Sequence, residues 1–105
     1  MRDRVKDLAI EVMKELGLDE KIKIEIKPMK KKVASYSFTT KTLRINSVAA
    51  EKLNDDQLKY IITHELIHVK TGSVHHGEEF IKELKKMYSD NESENIEIEI
   101  IKSLL

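Results

Sequence analysis

The stretch His64-Glu65-Leu66-Ile67-His68 sets two imidazoles and a carboxylate at a spacing that suits metal-assisted hydrolysis. On an α-helix, residues four apart lie one above the other, so His64 and His68 point the same way and can grip one ion, with Glu65 beside them. A hydrolytic zinc site takes three protein ligands and keeps one position open for water, whose pKa the ion lowers towards ~7. Glu65, close to that position but off the ligand row, is the natural general base. The third ligand must come from beyond the turn at Gly72, and His75, His76, Glu78, Glu79 and Glu83 are the candidates. A reading of His64 and His68 as plain helix-face residues fits poorly, because all four histidines of the chain fall between positions 64 and 76.

The elements that must hold this motif are well marked. Asn54 starts its helix as an N-cap, with Gln57 at the return position of a capping box and Asp55 and Asp56 at the positive helix end. Leu58, Ile61, Ile62, Leu66 and Val69 supply an apolar face, and Gly72 is placed to end it. Upstream, Val5, Leu8, Ala9, Val12, Met13 and Leu16 predict an amphipathic packing helix over residues 2–16, closed by Gly17. Ile22, Ile24 and Ile26 alternate with charged residues up to Pro28. Tyr36 and Phe38, then Leu43 and Ile45, alternate with polar residues around a turn at Thr40-Lys41. Three short antiparallel strands are expected, one of them a possible edge for an extended peptide. Lys30-Lys31-Lys32 reads as a solvated turn or edge guard. Asn46 and Ser47 can cap a short helix from Val48 to Leu53.

Beyond Gly77 a further helix should carry Phe80, Ile81, Leu84, Met87 and Tyr88 on one side. Ser89 to Ser93 is polar and reads as a hinge or as a boundary between the core and a tail. The remainder is ambiguous: Ile96, Ile98 and Ile100 fit a strand, whereas Ile100, Ile101, Leu104 and Leu105 fit a helix face. Either way so much apolar surface must dock, on its own domain or on a neighbour's. Tyr36, Tyr60 and Tyr88 are expected to pack rather than to act.

Composition narrows the class. The chain of 105 residues has room for one domain and one core. Its 19 basic and 19 acidic residues cancel, removing the electrostatic drive that nucleic-acid binders rely on. There is no cysteine, so a metal must take nitrogen and oxygen ligands, and a cytoplasmic protein is the simpler expectation. No run of roughly 18 apolar residues exists to span a bilayer. Abundant Lys, Glu and Ile suggest a thermophile's composition.

The segment LRINSVAAEKLNDDQLKYIITHELIHV, followed by the His-Gly-x-x-aromatic run from His76 to Phe80, resembles the zinc-helix region of gluzincin-type metallopeptidases, especially the HtpX-like and CAAX-processing membrane proteases. In its small soluble form the chain resembles the minigluzincins. That resemblance implies an α+β zincin-like minimal domain with an N-terminal helix, a small antiparallel-rich sheet, the active-site helix, a following helix and a C-terminal docking segment. It implies zinc held by His64, His68 and, by motif position, His76, with Glu65 as base in a zinc-dependent endopeptidase acting on peptides or proteins. It further implies latency. Residues 1–89 then form the catalytic domain, while residues 90–105 cover the cleft of their own molecule or, in a homo-oligomer, that of a partner.

Two other readings compete. A metal-dependent endoribonuclease can use three histidines on an H-x-x-x-H layout but lacks the motif glutamate, so Glu65 speaks for the peptidase. A non-enzymatic, metal-stabilised binding module would have no use for a base at that position.

Overall fold

Val5, Ala9, Val12 and Leu16 recur at steps of three and four residues, and this stripe closes helix α1 (Arg2–Leu16) onto the rest of the chain in the computed structural model, which describes residues 2–105. Gly17 ends α1 in the left-handed region, φ 71°, where a side chain would be strained. The Leu18 N–H then reaches back to the Met13 carbonyl at 2.9 Å.

Three strands follow, β1 (Lys23–Lys27), β2 (Ala34–Ser37) and β3 (Thr42–Asn46), in the order β1-β3-β2. β2 and β3 form the expected antiparallel pair, with Tyr36 opposite Leu43. β1 corrects the expectation of an all-antiparallel set: it runs parallel to β3, with Ile24 opposite Leu43 and Ile26 opposite Ile45. The cause lies in the segment after Pro28, which crosses the C-terminal end of β3 instead of folding β1 back on β2. Asn46 clamps that crossing. Its side-chain amide donates to the Met29 and Lys32 carbonyls, each at 2.9 Å, and its backbone N–H to the Val33 carbonyl at 2.8 Å.

The same Asn46 caps α2 (Ser47–Lys52), its Oδ1 accepting from the Val48 N–H. A short junction leads into α3 (Asp55–Thr71), where Asn54 and Gln57 form the capping box the sequence announces. Arg4 of α1 holds this junction, donating to the Ala50 carbonyl at 2.9 Å and the Leu53 carbonyl at 2.7 Å. The core lies between α1, α3 and the sheet: Leu43, Ile45, Leu58, Ile62, Leu66 and Ile67 are all fully buried.

Helices α4 (Glu78–Met87) and α5 (Asp90–Leu104) complete the chain. On α4 only Phe80 is buried, and Ile81 faces solvent, contrary to its expected place on the packed side. α5 decides two readings that the sequence leaves open. Ser89 to Ser93 is no hinge, because Ser89 and Glu92 form a reciprocal capping box that starts the helix. Ile96, Ile98 and Ile100 are likewise helical: Ile96, Ile100 and Leu104, four apart, turn inward, while Ile98 and Ile101 stay exposed. Among the described residues, no helix is long and apolar enough to cross a membrane.

Because the Asn54 cap satisfies amides at the start of α3, Asn54→Ala should lower the unfolding free energy by about 1 kcal/mol, read from urea titration, without changing the fold.

Candidate metal centre

α3 packs one face into the core and turns Tyr60, Ile61, His64, Glu65 and His68 towards the other side. Gly72, at φ 67°, ends the helix, and the Ser73 N–H reaches back to the His68 carbonyl at 3.2 Å. This turn puts the Ser73 carbonyl 2.9 Å from His68 Nδ1, which donates to it. The contact fixes the ring and the tautomer, leaving Nε2 with its lone pair free.

The chain then doubles back and brings His76 over the helix. His64, His68 and His76 each offer a ring nitrogen, all within 4.8 Å of one another, and His64 Nε2 lies 3.0 Å from His76 Nε2. Phe80 packs against all three rings at centroid distances of 4.7 to 4.9 Å, as one wall common to them. The sequence marks Phe80 as an anchor for α4; its contact with every imidazole emerges only in three dimensions.

Burial pushes His64 down to about 4, helped by the facing His76 and His68. It is therefore neutral at ordinary pH, the form a ligand must have. Glu65 is half-buried beside it; burial raises its pKa, while Lys32 and His76 pull the other way.

Of the other candidates, His75 stays outside the cluster, exposed, with its backbone N–H on Ser73 Oγ at 3.1 Å. Glu83 is engaged elsewhere: Lys70 at 2.8 Å and Lys86 at 3.1 Å hold its carboxyl below the usual range. Glu78 and Glu79 are exposed and lie outside the cluster.

His64 and Glu65 open into a cleft of about 420 Å³. The segment Lys32-Val33-Ala34, leading into edge strand β2, forms one wall, and Glu97, Ile100 and Ile101 of α5 contribute to its lining. The Tyr60 hydroxyl donates to the Glu97 carboxylate inside it. Sequence reasoning assigns Tyr60 to packing and Lys32 to a surface turn. The signal for Tyr60 is its place one helical turn before His64; nothing local marks Glu97.

Comparison with known proteins points the same way. A family model described as YgjP-like, metallopeptidase domain, matches residues 1–99. An uncharacterised protein of Methanocaldococcus jannaschii is 48% identical over 101 residues, 96% of this chain and 92% of that one. An uncharacterised protein of Aquifex aeolicus is 41% identical over 87 residues, 83% of this chain and 78% of that one. Among solved structures, the metallopeptidase zymogen of Methanocaldococcus jannaschii jannalysin matches with a TM-score of 0.93 at 48% identity, over 96% of this chain and 90% of that one. The metallopeptidase zymogen of Pyrococcus abyssi abylysin matches with a TM-score of 0.88 at 29% identity, over 95% and 94% respectively.

Burial, followed by the hydrogen bond to Glu97, pushes the Tyr60 hydroxyl up to about 12 from 10. Its folded pKa is the higher, so the stability linked to its neutral form is complete below pH 10 and is lost as pH rises towards 12. Denaturation across that window should show wild type losing about 1–2 kcal/mol relative to Tyr60→Phe, the screening by nearby solvent reducing the full linkage value.

Proposed function

Because the chain belongs to the YgjP-like metallopeptidase domain family, we propose that it is a zinc-dependent endopeptidase in latent form, with His64, His68 and His76 as ligands and Glu65 as general base. The observation that carries this reading is the convergence of three ring nitrogens within 4.8 Å next to a half-buried carboxylate that lines a cleft. An all-imidazole donor set in a chain without cysteine suits zinc, and three ligands leave a position for reaction. Zinc, when bound, supplies a Lewis acid that polarises the scissile carbonyl and makes water acidic near neutral pH.

The protein's own residues do the rest. Glu65 takes the proton of the attacking water and passes it to the leaving amine. The Ser73 carbonyl holds His68 in the tautomer a ligand needs. Phe80 keeps the three rings in register. β2, at the sheet edge, offers main-chain groups to an extended peptide.

Latency follows from α5. Its side chains Glu97, Ile100 and Ile101 line the cleft in which a peptide would lie, and on this reading residues 90–105 serve as an internal cover. The ribonuclease and binding-module readings find no support beside family membership and the placement of Glu65.

Glu65→Gln should retain stoichiometric zinc and lose peptide cleavage by about 10²- to 10⁴-fold. Zinc content after gel filtration should fall in His76→Ala and persist in His75→Ala; the reverse would move the third ligand. Ile100→Ser, which loosens α5 without removing it, should raise turnover of an unstructured peptide above that of the wild type. Protein that binds no metal on addition of zinc would overturn the reading as a whole.

A further inference from the structure

Resting on the latent-peptidase reading above, we propose that Tyr60 and Lys32 form a carboxylate-binding subsite of the cleft, selecting peptides that place an acidic side chain or a free C-terminus beside Glu65. The structure already holds a carboxylate there, Glu97 of α5, which accepts the Tyr60 hydroxyl proton. A carboxylate entering a largely apolar cleft loses hydration and needs a donor in return. Tyr60 is that donor, and it belongs to the cleft and not to the cover.

Its ring is also held by contacts outside α5. Tyr60 is only 3% exposed, lies one turn before His64 on α3, and packs edge to face on Tyr88 at 5.0 Å. Lys32 adds the positive charge. It lines the same cleft, its charge acts on Glu65, and among the described residues it enters no ion pair. Its segment is anchored by the bond from the Asn46 amide to the Lys32 carbonyl. With α5 displaced, a hydroxyl and an ammonium on two anchored elements remain within one cleft next to the reacting centre. An acidic group satisfies both; the isosteric amide forfeits the charge.

The test uses the full-length, zinc-loaded Ile100→Ser chain, with Leu104→Ser as a second opening variant should the first reduce soluble yield. The substrates are peptides with Glu or Gln scanned through each position, every one made with a free and with an amidated C-terminus. The expected result is kcat/KM higher by about tenfold or more for Glu than for Gln at one position, or for the free over the amidated terminus, which tells the two sources of carboxylate apart. Tyr60→Phe and Lys32→Met, placed in the opened chain, should each bring that ratio towards one. Equal turnover of the acidic and amide peptides at every position, or a preference that survives both substitutions, overturns the proposal. Calorimetric binding of the same peptides to the opened chain carrying Glu65→Gln reads the subsite without turnover. Zinc bound and a Glu preference in binding, with no cleavage in the parent chain, would sink the peptidase reading and leave the subsite standing. Cleavage without preference would do the opposite.

Discussion

Three imidazoles lie with ring centroids 4.7 to 5.4 Å apart, and much of the molecule is arranged around keeping them aimed at one point. Each ring answers to a different restraint. His64 is desolvated and faces the other two. His68 is tied through Nδ1 to the Ser73 carbonyl. His76 is carried in by the turn after Gly72 and leans on Phe80, which also touches its neighbours. Removing any of these restraints would leave rings able to rotate apart, which is why the turn and the start of α4 matter as much as the helix that bears the motif.

α3 therefore bears load on two sides. Leu58, Ile62 and Leu66 are fully buried towards α1 and the sheet, while His64 and Glu65 meet the cleft. A helix buried this heavily must satisfy its polar groups locally. Thr63, wholly buried, gives its hydroxyl proton to the Lys59 carbonyl at 2.7 Å, and the Asn54–Gln57 box closes the N-terminal end. Among the described residues no buried side-chain polar atom lacks a partner. The precision that a metal centre demands thus rests on capping and on core packing, with Arg4 pinning the α2–α3 junction from α1.

Local chemistry made most of this legible. Gly17, Asn54 with Gln57, and Gly72 are terminators and caps whose effect depends on residues within one turn, and α1 and α3 stand where they predict. The His64-Glu65-His68 spacing likewise depends on helical periodicity alone. What escaped was either non-local or masked. The parallel pairing of β1 depends on how the chain crosses the end of β3, and the residue that organises the crossing, Asn46, reads from the sequence only as a helix cap. The capping box of Ser89 and Glu92 was present as a signal, but the alternating isoleucines after it imitate a strand. Which side chains α5 presents to the cleft could not be read at all, since that depends on docking.

α5 is attached by little fully buried surface. Of its side chains only Ile100 is buried, a contribution of roughly 1.5–3 kcal/mol, while Ile98 and Ile101 keep 44% and 60% of their surface in water. Ordering a terminal helix costs conformational entropy at each residue, so docking on that contact alone would be marginal. The Tyr60–Glu97 bond adds to it, with Glu97 still in contact with water. A segment meant only to complete the core would bury its isoleucines and avoid the glutamate. A terminal helix held by a partly wet face can open at a free energy below that of global unfolding.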